Sequence, residues 1–272
     1  MNVRFLPIAI AMLVLGSYAP AYAAPQFLKV STKSTVELSQ VIDEADGSDI
    51  LFVGETHDVK KHHENQLDFI RALLQKKIPV AIGLEMFTQE NQPHLDDWVE
   101  GKLHESDFKP IYSRNWSYDW MLYRDIFIFA RDNHIPMIAL NIPKPVISRI
   151  VSQGSSTVND TSLKLNSHQT EYLRRIYSQV FGDKPVPISF ENFCQAQALR
   201  NNGMAWSVTK FKDKFPRHKI VVIAGTWHAI KNGAPEQLRH YGNLSYKVIL
   251  PELPEFKLQN FTTDEADYIM LK

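Results

Sequence analysis

Four short apolar runs rich in β-branched residues each end on a polar, chemically capable side chain, and nothing else in this chain restricts its fold as strongly. They read Asp49-Ile-Leu-Phe-Val-Gly-Glu55-Thr-His57, Val80-Ala-Ile-Gly-Leu-Glu85-Met, Pro136-Met-Ile-Ala-Leu-Asn141-Ile-Pro143 and Lys219-Ile-Val-Val-Ile-Ala-Gly225-Thr-Trp-His228. Unbroken runs of this length are strands buried on both faces, as parallel sheets require. Ligands of open parallel sheets collect outside the carboxyl ends of the strands. There the chain carries Glu55, His57, Glu85, Asn141 and His228. Two carboxylates, two imidazoles and an amide are therefore expected in one crevice.

The segments between the runs complete an α/β pattern. A short lead-in helix is expected from Thr35 to Ala45. After the first strand, Leu67, Ile70, Leu73 and Leu74 fall at helical spacing, and Lys76, Lys77 and Pro79 stop that helix before the second strand. Strand, helix and strand make a βαβ unit with parallel pairing. The expected fold is α/β: a mostly parallel sheet with helices on both faces and an inserted aromatic-rich helical lobe at roughly 87–131. A helical segment at roughly 167–212, made of helices at His168–Phe181 and Glu191–Phe211, precedes the fourth run. Ser152 to Asn166 reads as a loop, and a helix to Tyr241 leads to a last strand near Tyr246–Leu250. The lobe's aromatics, among them Trp98, Phe108, Tyr112, Trp116, Tyr118, Trp120 and Tyr123, suit either a packed core or a flat cleft for a large apolar ligand.

The first residues stand apart. Arg4 is followed by the apolar Phe5–Leu15 stretch, and Ala21-Tyr-Ala23 precedes Ala24. A charged start, an apolar middle and a small-x-small site form a secretory signal. Residues 1–23 are expected to be cleaved, leaving 24–272 as a single domain in the periplasm or outside the cell. No cysteine lies near that site, so the chain is not expected to be a lipoprotein. The single Cys194 can form no internal disulfide and reads as a buried thiol. With 30 basic and 30 acidic residues the formal charge is zero, which favours neither nucleic acid nor an anionic membrane as partner.

Three groups of side chains carry chemistry. His57, with His62 and His63 nearby and Glu55 two residues before it, suits a divalent metal, although no H-E-x-x-H spacing is present. His62, beside Lys60-Lys61, reads as a solvated helix residue. Glu85 ends a run that should be buried, where acids are rare unless paired or functional. It can form a salt bridge to an arginine such as Arg200, or serve as base or ligand. His228, after the small Gly225, can act as ligand, base or acid. The candidate metal set is Glu55, His57, Glu85 and His228, and the candidate catalytic set for a hydrolase adds Arg200. No nucleophile elbow, phosphate loop or dinucleotide fingerprint occurs.

These residues resemble a known family. Gly54-Glu-x-His57-Asp58 with His63 and Gln66, Gly83-Leu-Glu85-Met-Phe87, Leu95-Asp-x-Trp98, Phe129-Ala-Arg131 with Ile135-Pro, Ala139-Leu-Asn141, Gln197 with Met204-Ala205, and Ala224-Gly-x-x-His228 with Gly233-x-Pro235 are similar to the ChaN family of haem-binding, iron-regulated bacterial proteins. The resemblance spans roughly residues 48–240. It implies haem as cofactor, a part in haem or iron uptake, a homodimer with two stacked haems between subunits, and an outer-membrane haem-uptake system as partner. It also implies tyrosinate ligation, for which Tyr112, Tyr118 and Tyr123 of the lobe are the candidates. The wider superfamily includes Tiki/TraB metal-dependent proteases and erythromycin esterases. Where the family often has Trp-Asp before Met-Ala, this chain has Arg200 and Asn201, closer to the esterase-like relatives. A metal-dependent hydrolase is therefore the alternative reading.

Overall fold

The computed structural model describes residues 25–154, 165, 167–182, 188–252 and 258–272. The expected signal segment, most of the Ser152–Asn166 loop and the 183–187 turn lie outside the described residues. The core is an eight-stranded sheet in the order β2-β1-β8-β7-β3-β6-β4-β5. The four apolar runs are β3 (Ile50–Glu55), β4 (Val80–Thr88), β5 (Met137–Asn141) and β6 (Lys219–Gly225), every residue of each buried. They pair in parallel, with β7 (Tyr246–Pro251) alongside β3 and β8 (Tyr268–Met270) alongside β7. The hairpin of β1 (Gln26–Lys29) and β2 (Ser34–Glu37) extends that side through antiparallel pairing with β8.

This hairpin was not expected. Residues Thr35–Glu37, read as the start of a helix, belong to β2 and pair with β1, and the helix α1 begins only at Leu38 and ends at Glu44. The four-residue strand is too short to show a period of two, and its one buried residue, Val36, gives no pattern.

Period-two alternation sorts the strand residues into two cores. Leu51, Val53, Ile82, Leu84, Val221 and Ile223 pack beneath Leu67, Phe69, Ile70 and Leu73 of α2 (Lys60–Gln75) and beneath the aromatic lobe. Ile50, Phe52, Ile220, Val222 and Ala224 pack against Met204, Ala205 and Val208 of α8 (Phe190–Lys214) on the other face. The lobe consists of α3 (Gln92–Val99), α4 (Glu105–Asn115) and α5 (Trp120–Asp132). Its rings interlock: Trp98 stacks on Phe108 at 4.3 Å, and Tyr112 meets Trp120 edge-on at 5.0 Å. Most of the aromatics are therefore core. Helix α6 (Lys144–Gln153) follows β5 directly, and α7 (Ser167–Phe181) packs against α8. After β6 come two short helices, α9 (Thr226–Ala229) and α10 (Ala234–Gln237). No described helix is long and apolar enough to cross a membrane.

Strand β6 comes last in sequence among the four apolar runs yet lies between β3 and β4. Its final residue, Gly225, is level with Glu55.

Candidate functional site

The strand-end residues converge at one end of the sheet, but they leave it on opposite faces. Alternation turns Glu55 toward α2 and α5. Its Oε1 accepts a hydrogen bond from His57 Nδ1 at 2.8 Å and another from the Tyr123 hydroxyl. Its Oε2 accepts from Gln66 Nε2 at 2.9 Å and lies 3.1 Å from His63 Nδ1. Glu85 turns instead toward α8. Its Oε1 accepts from Arg200 Nη2 at 2.8 Å, and its Oε2 from the backbone N–H of Gly225 at 2.6 Å. The salt bridge to Arg200, the structural alternative to a base or ligand role for Glu85, is present.

His57 joins the halves. A Cβ placed on Gly225 would stand 2.6 Å from His57 Cε1 and 3.0 Å from Nε2, so the imidazole sits where only a glycine leaves room. The lobe covers the ring's other sides, with Trp116 edge-to-face at 4.8 Å and Tyr118 at 4.9 Å. About a quarter of the His57 side chain reaches solvent.

Electrostatics follow from these partners. Burial disfavours the Glu55 anion, but hydrogen bonds and charge from His57 and His63 outweigh it and hold the carboxyl far below its ordinary range. Burial likewise opposes protonation of His57 and His63, and the Glu55 carboxylate overcomes it in both, raising both imidazoles. Burial pushes His228 down to about 4 against the pull of Glu85, so its ring is neutral at neutral pH. Its Nδ1 bonds Asn201 Oδ1 at 2.6 Å, and its Nε2 lies 3.5 Å from Glu85 Oε1. Glu85 is lowered against burial by the surrounding cations; with His228 neutral, Arg200 and His57 balance its charge.

This arrangement lends no support to the metal expectation. Among the described residues no three His, Cys, Asp or Glu side chains stand as a metal-binding group. The carboxylate oxygens of Glu55 and Glu85 are occupied by N–H and O–H donors, and each acid keeps its own set of partners. Glu55, His57, Glu85 and His228 form two hydrogen-bonded units bridged by one imidazole. The reading of His62 also changes: its Nδ1 accepts the Thr56 N–H at 3.0 Å, tying the β3–α2 turn together.

The three tyrosines differ. Tyr112 and Tyr123 are buried, and their hydroxyls bond Tyr118 O at 3.1 Å and the Glu55 carboxylate. Burial first, and then the charge of Glu55, pushes both phenols well above their ordinary value. Tyr118, in the turn between α4 and α5, is 37% exposed, and its hydroxyl bonds to no described residue. Its phenol is also raised, by partial burial and the charges of Asp58, Glu85 and Glu55.

Several partnerships were not read from sequence. Tyr123 was a haem-ligand candidate, not a partner of Glu55. Gln66 entered only through the family resemblance, although its place three residues after His63 on one helical face was a local signal for its bond to Glu55. Asn201 entered only as a departure from the family pattern, and its bond to His228 depends on how α8 crosses the sheet.

Beside Arg200 a cleft of about 300 Å3 opens between the ends of β4 and β5, α4 and α6. Trp116 borders both this cleft and the exposed face of Tyr118.

Comparison with known proteins agrees with this architecture. ChaN of Campylobacter jejuni, reported with cofacial haem binding, superposes with a TM-score of 0.76 at 18% identity, covering 92% of this chain and 97% of that one. An erythromycin esterase, EreC, aligns with a TM-score of 0.50 at 13% identity over 85% of this chain and 78% of its own. At such identities both likenesses concern the fold. No curated protein matches the sequence. Residues 41–238 match the family described as haem-binding uptake, Tiki superfamily, ChaN, and that stretch contains the whole strand-end cluster and the aromatic lobe. The chain belongs to the ChaN haem-binding uptake family of the Tiki superfamily.

Proposed function

We propose that this protein binds haem outside the cytoplasm and assists haem or iron uptake, with Tyr118 as the iron ligand. The observation that carries the assignment is the contrast among the lobe's tyrosines. Tyr118 is the exposed one of the three, and its hydroxyl bonds to no described residue, whereas Tyr112 and Tyr123 are buried and their hydroxyls bonded. A phenolate oxygen is an established axial donor to haem iron. Trp116 and the exposed Met121 flank Tyr118 with apolar surface suited to a porphyrin face. The same surface is the one through which two copies would stack haems as a homodimer. Export through a cleaved segment at residues 1–23 and delivery from an outer-membrane uptake system complete the proposal.

Hemin titration followed at the Soret band tests it. Tyr118→Phe is expected to shift the band and weaken binding at least about tenfold, the worth of one lost strong contact, while Tyr112→Phe leaves the spectrum unchanged. An unaltered spectrum in Tyr118→Phe would refute the ligand, and absence of saturable hemin binding would refute the function.

A second reading is favoured by the Glu55–His57 pair. A buried carboxylate fixes Nδ1 of a partly exposed imidazole, leaving Nε2, over Gly225, as a base for water-activating hydrolysis. Because His57 is raised above 6.5, hydrolysis of an activated ester would increase with pH through that raised value and disappear in His57→Asn.

A further inference from the structure

A second hollow lies away from the strand-end cluster, against the outer edge of β5. Its volume is about 550 Å3, within the range of small-molecule sites. Its floor is the first half of β5, with Met137 and Ile138, and its walls come from α3 and the carboxyl half of α8. Arg200 and Lys214 both belong to α8, and at 1.5 Å per residue they stand about 20 Å apart along its axis. This hollow and the cleft beside Arg200 therefore share a helix but no lining residue.

The spacing along α8 places rings and cations side by side. Trp206, Lys210 and Lys214 recur every four residues as one ridge, and Ser207, Phe211 and Phe215 form the next. Trp206 and Phe215 are 42% and 46% exposed, so rings of a size that usually packs inside stand open to solvent here. The charged side chains of the lining are Lys210, Lys214 and Asp96. Asp96 already accepts a hydrogen bond from Gln92 Nε2 at 2.9 Å. Lys210 approaches Asp213 only to 3.7 Å, both side chains being more than half exposed, and Lys214 pairs with no described residue. Lys212, between them, is engaged elsewhere: its ammonium binds Asp49 and the carbonyls of Pro216 and His218.

Three kinds of occupant suit an apolar hollow at a sheet edge, and these observations separate them. An added strand is blocked, because Gln92 fills the outward bonds of Met137 O and Ala139 N. A bilayer needs apolar side chains that project, whereas Met137, Ile138 and Phe211 line a concavity. A single hydrocarbon chain with one charged end fits both the apolar floor and the lysine rim. Two lysines and one aspartate leave the lining one positive charge, which one carboxylate balances.

We propose that this hollow binds a monomeric long-chain carboxylate, a fatty acid, with Lys210 and Lys214 holding its head group and Trp206, Phe211 and Phe215 its chain. The site does not depend on the haem reading.

The test titrates the mature chain with cis-parinaric acid and with its methyl ester, each read by the rise in polyene emission on leaving water. Two altered proteins are compared with the unaltered one: Trp206→Ala, and Lys210→Met combined with Lys214→Met. All three side chains are exposed, so the fold does not depend on them. The acid is expected to bind about fivefold more tightly than the ester, as for exposed ion pairs. The double replacement should abolish that preference and leave ester affinity unchanged. Trp206→Ala should weaken acid and ester alike by about tenfold, as expected for loss of a ring that covers the chain. Equal binding of acid and ester, or affinities unchanged in both variants, overturns the site. Sedimentation with vesicles of phosphatidylglycerol and phosphatidylcholine checks the bilayer. Pelleting that Trp206→Ala abolishes, without saturable binding of parinarate, would assign the surface to a membrane and overturn the site as well. Hemin titrated into the double variant should give an unaltered Soret band and affinity; weakened hemin binding would show that the two ligands share a surface and refute a separate site.

Discussion

Gly225 shows how one missing side chain organises the whole cluster. Its N–H binds Glu85, and the space above its Cα seats the His57 ring. Gly225→Ala would drive a methyl to 2.6 Å from His57 Cε1. The expected cost is about 1–3 kcal/mol, as for other overpacked buried sites, measurable as a lowered urea midpoint, together with a changed His57 imidazole NMR shift. A variant with both unaltered would show that the ring moves freely. The ionisable residues also set a pH profile. His57 and His63 have raised values, so their contribution is complete below 6.5 and declines as pH rises through those values. His228 remains neutral in the fold down to about 4, so stability declines as pH falls from 6.5 toward that value, and protonation of Glu85 and Glu55 adds to the loss further down. Stability should therefore be greatest near 6.5, and a denaturation midpoint that is flat across this range would contradict the assigned charges.

At the scale of elements, two side chains complete what secondary structure leaves open. Strand β5 is one edge of the sheet, β2 being the other, and Gln92 of α3 covers it, donating to Met137 O at 2.7 Å and accepting from Ala139 N at 2.8 Å. An amide side chain thus stands in for a neighbouring strand, which blunts edge-to-edge association. Gln92→Ala should increase self-association in sedimentation velocity without lowering the melting temperature appreciably; an unchanged monomer fraction would rule this protection out. At the amino end of β6, buried Lys219 gives its ammonium to the carbonyls of Ala45, Asp46 and Ser48, closing the turn after α1. Lys219→Met would remove that donor, leaving Ala45 O only its bond from Ser48 N, and should cost about 1–3 kcal/mol of stability, read from chemical denaturation. What the sequence made legible follows the same division. The four inner strands and α2 could be read because continuous burial and 3.6-residue spacing are local signals. The β1–β2 hairpin escaped because its pairing partner, β8, is separated from it by nearly the whole chain. The site's membership was readable from strand ends. Its division into two hydrogen-bonded units was not, because that depends on which sheet face each carboxylate leaves.

For the molecule as a whole, the late position of β6 carries a consequence for biogenesis. Gly225 follows Glu85 by 140 residues, so during synthesis β3 and β4 emerge long before the strand that must lie between them. Until then they cannot adopt their final spacing, and the pocket's acids, imidazoles and guanidinium remain unassembled. Contacts so distant in sequence form slowly, and chains awaiting them stay extended longer. For the export proposed above, such a delay would keep the chain unfolded while it crosses. The topology that places His57 over Gly225 thereby also postpones assembly of the strand-end cluster until the chain is nearly complete.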